Sequence, residues 1–178
     1  MATPPSVDNL TIGRGKVYIA EFTGSTHGEY VEVGNCPSFE FEPRTEKLAH
    51  YTSRSGLRQK DQEIVVQTEY QITFETDELA AENLQRFTGG AVSGSEIRVL
   101  KAPNKFYALK FVTDNPVGPN YTYEFHRCTI ASNGSLQLIS EEWAKASFTA
   151  VGLSDPVNHP DSELATIQFT TTTTTTTV

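Results

Sequence analysis

Long apolar runs are missing from this sequence: no stretch approaches the eighteen or so consecutive apolar residues that a membrane-crossing helix needs. Basic residues are scarce as well. Fourteen Lys and Arg stand against 22 Asp and Glu, a net charge of −8 at pH 7. A domain that grips nucleic acid is thereby disfavoured, because counterion release needs clustered bases. The opening MATPPSVDNL carries one acid, no base and no apolar core, so it does not read as a secretory signal. The chain reads as a soluble intracellular product. Cysteine occurs twice, at Cys36 and Cys128, without CxxC spacing. In a reducing compartment such a pair is expected as free, buried thiols.

Motifs that carry chemistry are equally scarce. There is no GxSxG, no HExxH and no P-loop. His27, His50, His126 and His159 are scattered, none with a Cys, Asp or Glu at metal-ligand spacing, and read as surface or satisfied histidines. Gly13-Arg14-Gly15 has the look of a phosphate-loop fragment, but it lacks the later glycine and leads into a strand pattern. It reads as a bend. A glycosidase needs only two acids at a set separation, but the acids here alternate along strands, as on a solvated face. Tyr121, Tyr123 and Phe125 also alternate. With few bases nearby and Glu124 among them, they read as core residues rather than a base-stacking platform.

What is present is 178 residues, 37% hydrophobic and 20% charged, enough for one domain with one core. A single helix is expected over Asp77 to Gly90, where Ala80, Leu84 and Phe87 stand at i, i+4 and i+7. Thr76 or Asp77 would cap it and Gly89 or Gly90 would stop it. Elsewhere the period is two. Strands are expected at Lys16 to Phe22, Tyr30 to Val33, Phe39 to Lys47, Glu63 to Glu75, Glu96 to Ala102, Lys105 to Thr113, Tyr121 to Ala131, Ser135 to Ser140 and Trp143 to Val151. In Glu63 to Glu75, Ile64, Val66, Tyr70, Ile72 and Phe74 face one way, toward the core. This describes a mainly β domain, a β-sandwich or partly closed barrel with one flanking α-helix. The domain spans 13–153, between an N-terminal arm, 1–12, and a C-terminal extension, 154–178, with eight consecutive threonines. The polar segment His50 to Gln62, HYTSRSGLRQKDQ, reads as a long loop without enough apolar residues to fold on its own surface.

Three segments together carry a family resemblance: NLTIGRGKVYIAEF, YVEVGNCPSFEFEPRTEKLAHYTSRSGLRQKD and TFETDELAAENLQRFTGG. In order and spacing they resemble the tail tube protein, or major tail protein, of bacteriophages with long non-contractile tails. The resemblance covers Asn9 to Gly90, with the later strands matching by general pattern. One departure is the helix end Asn83-Leu84-Gln85-Arg86-Phe87, more polar than a packed helix of that family. The resemblance implies a subunit that closes into homohexameric rings, which stack into a hollow conduit for the genome. Its partners would be other copies of itself, tail terminator, tape measure and tail tip proteins, and double-stranded DNA in transit. Assembly would occur in the host cytoplasm and the product would sit in the virion tail, with no cofactor and no membrane insertion. Four strands per subunit, spaced about 4.8 Å, give a circumference of roughly 115 Å, wide enough for duplex DNA.

Strict alternation then assigns Glu40, Glu42, Glu46, Glu63, Gln67, Glu69 and Gln71 to the bore. An acidic wall repels phosphate, as a conduit should. The loop 50–62 would meet the next ring, with Tyr51 and Leu57 as apolar anchors and Arg54, Arg58 and Lys60 pairing with acids there. A ring-forming tube protein of a bacterial secretion system, or a monomeric carbohydrate-binding β-sandwich, are the alternatives. Elemental analysis of the purified protein is expected to find no stoichiometric zinc or iron; either metal at one equivalent would contradict the motif analysis.

Overall fold

The computed structural model describes residues 9–54 and 56–169. In chain order the elements are β1 (Gly15–Thr23), β2 (Thr26–His27), β3 (Val31–Glu32), β4 (Ser38–Thr52), β5 (Gln59–Thr76), α1 (Ala81–Phe87), β6 (Ala91–Ser93), β7 (Glu96–Arg98), β8 (Phe106–Thr113), β9 (Tyr121–Ser132), β10 (Ala146–Gly152) and β11 (Ala165–Phe169). Nine strands form one antiparallel sheet in the order β2-β1-β8-β9-β10-β5-β4, with β3 added to β1 and β11 added to β9. The hairpin β6-β7 stands apart. No helix among the described residues is long and apolar enough to cross a membrane.

The sheet does not close into a barrel. It curls instead, because its apolar face needs a partner and finds one in itself. Phe39 of β4 stacks on Phe111 of β8 with ring centroids 4.9 Å apart, and Phe41 meets Phe125 of β9 at 5.1 Å. Inside the fold, Ile72 and Phe74 of β5, Phe148 and Ala150 of β10, Leu109 of β8 and Ile19 of β1 are buried. Phe74 and Phe148 stack at 4.9 Å. The expected mainly β, sandwich-like class with one flanking helix is what the chain adopts. Tyr123 and Phe125 belong to this packing, and Cys128 lies fully inside it as a free thiol, as Cys36 is nearer the rim.

Helix α1 covers one end of the core, its Phe87 meeting Phe148 edge-on at 5.9 Å. It is shorter than the expected 77–90. Asp77 and Glu78 are spent on the loop before β4: Asn35 donates from its side chain to Asp77 at 2.7 Å and from its backbone to Glu78 at 3.0 Å. Thr76 Oγ1 accepts from the Glu78 amide at 3.2 Å, a local turn that competes with helix. The helix therefore starts after Ala80, with no side-chain cap. Its end is as expected, with Gly89 at φ +55°, a region glycine enters without penalty. The polar helix end also has a reason. Asn83 is buried and donates to the carbonyls of Val33 and Glu78, each at 2.8 Å, so it ties α1 to two loops.

Three further expectations need correction. Ser135 to Ser140 is not a strand: after Asn133-Gly134 the chain runs as an irregular loop to Ala146, with Leu138, Ile139 and Trp143 exposed. The C-terminal segment does not stay outside the sheet, because Ala165–Phe169 pairs with Phe125–Tyr121 and Leu164 packs on the core. His50 to Gln62 is not a loop: β4 continues to Thr52 and β5 begins at Gln59. Backbone pairing and side-chain contacts stand in for apolar residues there. His50 meets Asp61 at 2.6 Å, and the Arg58 guanidinium lies 4.7 Å from the Tyr51 ring centroid. The turn is 53–58. Residues 1–8 of the arm and the threonine tract lie outside the described residues.

Phe148 touches Phe74 on one side and Phe87 on the other, so its truncation empties the junction of sheet and helix. Phe148→Ala is expected to cost about 3–5 kcal/mol, which lowers Tm by roughly 10 °C in a domain of this size. Differential scanning calorimetry checks it; a drop of a degree or two would mean the helix does not depend on the sheet at this point.

Candidate functional site

Because β4, β5, β10 and β9 are neighbours, their cross-strand partners fall in rows that share a face. One row is Glu40, Thr73, Thr149 and Ala131; the next is Glu42, Gln71, Val151 and Thr129. Farther along β4, Arg44 pairs with Glu69 and Glu46 with Gln67. The alternate residues of the same strands supply the core. This outer face is therefore acids, amides, hydroxyls and small groups, and no part of the described chain covers it. Arg44 is the one base among these rows, and it is held by Glu42 at 2.8 Å. That hydrogen bond holds the Glu42 carboxyl below its ordinary range.

Six of the seven residues expected to share a wall do so: Glu40, Glu42, Glu46, Gln67, Glu69 and Gln71. Glu63 does not. Glu46 pairs with Gln67, but Lys47 pairs with Val65, so Val66 is an extra residue in β5. This bulge exchanges the two faces of β5 from Val65 to Gln62, and a second shift, with Asp61 as the extra residue between Gln62 and Lys60, restores them. Glu63 then stands with Lys47, 3.5 Å away, and with Lys60, on the side opposite Glu46. These two ammonium groups lower the Glu63 carboxyl. The alternation of letters continues unbroken through Val65, Gln67 and Glu69, so nothing in the sequence marks the bulge.

Past Gln71, β5 no longer has β10 beside it and pairs with β4 alone. The two strands project as a ribbon from about Pro43 to Thr52 and from Gln59 to Tyr70. Ile64 and Val66, expected in the core, lie on this ribbon beyond the core's reach. Ile64 is 58% exposed and Leu48 60%, with a shallow hollow between them floored by Ala49, His50 and Gln62. Val65 and Val66 are also exposed. A two-stranded ribbon is marginal in water by itself, and this one carries uncovered β-branched residues on both faces. The loop residues expected at an inter-ring contact sit at its end: Tyr51 and Lys60 as a cross-strand pair, Arg54, Leu57 and Arg58 in or beside the turn.

Elsewhere the surface offers little for chemistry. A cleft of about 610 Å³ opens between the start of β1 and β4, lined by Gly13, Arg14, Cys36, Pro37, Phe111 and Asp114 among others. Its two charges satisfy each other, Arg14 to Asp114 at 2.9 Å. Burial pushes the Cys36 thiol up to about 12, with Asp77 and Glu78 adding to the shift, so it is not poised as a nucleophile. No group of three or more His, Cys, Asp or Glu that could hold a metal occurs among the described residues. Two of the scattered histidines do meet. His126 of β9 and His159 of the segment before β11 stack with centroids 3.5 Å apart, and His126 is buried. Burial first, then His159, keeps the His126 imidazole below its ordinary 6.5.

A family described as "Protein of unknown function UCP028589" matches residues 10–96. No curated protein matches the chain. Among solved structures it is similar to the anti-feeding prophage cap, the AFP tube terminating cap. The identity there is 13%, with 94% of this chain and 97% of that one covered, at a TM-score of 0.46. It is also similar to a chain in the tail of an empty GTA particle, refined with C6 symmetry. That identity is 12%, with 87% and 96% covered, at a TM-score of 0.40.

His126 gives the fold an acid sensitivity of defined sign. The unfolded imidazole takes up its proton near 6.5 while the folded one resists. The unfolded state binds more protons in that window, and stability is lost as pH falls below about 6.5. Thermal melts are expected to show Tm falling from pH 7.5 to 5.5, with a smaller fall in His126→Gln. An equal fall in both proteins would assign the sensitivity to other groups.

Proposed function

We propose that this chain is a structural subunit of a phage tail tube, whose copies close into hexameric rings that stack as a conduit for the genome. The observation that carries the proposal is the β4-β5 ribbon. It leaves the core and carries exposed Leu48, Ile64, Val65 and Val66, which no other described residue covers and which a neighbouring molecule would bury. The free edge of β4 adds unpaired backbone groups beside it, an arrangement that favours strand-to-strand association. The resemblance in Asn9 to Gly90 supplies the ring and the tube.

In this reading the rows across β4, β5, β10 and β9 line the bore, with Glu40, Glu42, Glu46, Gln67, Glu69 and Gln71 facing the DNA. Duplex DNA carries one charge per roughly 1.7 Å of axis, so acids repel it while amides and hydroxyls hold water rather than phosphate. Glu63 is not part of this lining. The turn 53–58 reaches the adjacent ring with Tyr51, Arg54, Leu57, Arg58 and Lys60. Terminator, tape measure and tip proteins meet the tube at its ends or in its bore, and assembly in the host cytoplasm precedes incorporation in the virion.

Negative-stain microscopy of the purified full-length protein is expected to find six-membered rings or hollow tubes, and a monodisperse monomer at high concentration would refute the proposal. Deleting Ser53 to Lys60 is expected to leave rings that do not elongate. In phage, Glu40→Lys with Glu69→Lys should slow genome ejection by creating phosphate contacts; unchanged ejection would make the acidic face incidental.

A further inference from the structure

The two ends of the bore-lining strands carry complementary surfaces. The ladder fixes which end is which. Thr76, the last residue of β5, pairs with Ala146, the first of β10, so the β9-β10 loop lies at the end opposite the ribbon's turn. The 18 residues of β5 separate those ends by about 55 Å. At one end, the turn presents Leu57, 73% exposed, beside Tyr51, Arg54 and Arg58. At the other, the β9-β10 loop presents Ile139, 93% exposed, and Trp143, 89% exposed, on either side of Glu141 and Glu142. Among the described residues none of these four charges has an ion-pair partner within the chain; Arg58 lies over Tyr51, and Lys145 is the one base close to the two acids in sequence. A side chain as apolar as tryptophan at 89% exposure is unusual for a surface that stays in water.

We infer that the β9-β10 loop is the receptor for the ribbon's turn of a second copy of this chain: Leu57 and Tyr51 of one copy cover Ile139 and Trp143 of the next, while Arg54 and Arg58 face Glu141 and Glu142. The inference rests on the tube reading and names the surface that reading leaves open. Donor and receptor sit at opposite ends of the same strands, so the contact is head-to-tail. It repeats along an axis without closing, as a filament requires. The sign of the charges fixes polarity, because turn against turn or loop against loop would oppose like charges. It also accounts for the loop's composition. Leu138, Ile139 and Trp143 have nothing to pack on in one copy, whereas Leu136, three residues before Ile139, is tucked against the core and anchors the loop.

Trp143 is the single tryptophan of the chain, so its fluorescence reports the contact directly. In full-length protein, assembled tubes separated by sedimentation are expected to emit to the blue of the ring-only form made by deleting Ser53 to Lys60, and to be less quenched by acrylamide. R54E/R58E and E141R/E142R are each expected to stop at rings, and the combined variant to elongate again. Tubes whose Trp143 emission and quenching equal those of the ring-only form would overturn this contact and leave the tube reading standing. Restoration failing in the combined variant, with Trp143 unshifted, would do the same. A wild-type chain that forms neither rings nor tubes would overturn both.

Discussion

One antiparallel ladder, β4 against β5, runs from the middle of the core to the far end of the molecule, pairing Ser38 with Glu75 at one end and Thr52 with Gln59 at the other. Its register is set in the core half, where Phe39, Phe41, Ile72 and Phe74 must all face inward. A slip of one residue would put those rings in water and Glu40 and Glu42 in the core. That half is locked from both sides, by β10 along the sheet and by Phe111 and Phe125 across it. The outer half inherits its register from the inner one. The ribbon can therefore hold a defined shape with little packing of its own.

The same ladder divides what could be read from letters from what could not. Alternation in Tyr70, Ile72, Phe74 and Thr76 is legible because each alternate side chain meets a core; the sequence carries that physics in its own period. Glycine at position 89 is legible for a different reason, since a left-handed stop has few alternatives. The helix start was obscured because Asp77 and Glu78 look like first-turn acids and are consumed by Asn35, 42 and 43 residues away. Asn83 looked like a weakness and is a buried tie to Val33 and Glu78. Ile64 and Val66 look like core, and the end of β10 at Gly152, together with the bulge at Val66, leaves them outside it. In each miss a long-range partner overrides a local pattern.

Where β10 ends, the packing is close. A Cβ on Gly152 would sit 2.2 Å from the Tyr70 ring, and Tyr70 in turn donates its hydroxyl to the Arg127 carbonyl at 3.1 Å. The ribbon thus departs from a rigid root. The described residues hold no cluster fit for a metal, and the acidic rows gain their meaning from geometry: several like charges held at fixed spacing by paired strands, on a face that the fold leaves open.

The bulge at Val66 behaves as a phase shift written into one strand. Before it, even positions of β4 look out to the acidic side; after it, that side carries Leu48 opposite Ile64, and Glu63 has moved behind. A single extra residue thus lets one uninterrupted ribbon be hydrophilic where it borders the open face and greasy where it reaches past the core, without a change in strand direction or a break in pairing. Strict alternation of the same letters, with no residue set aside, would invert that stretch and bring a carboxylate to where an isoleucine stands, whereas in-frame loss of Val66 would leave Leu48 opposite Ile64 and remove only the bulge. The surface chemistry of this stretch is therefore set by where the ladder leaves one residue unpaired as much as by which residues it contains.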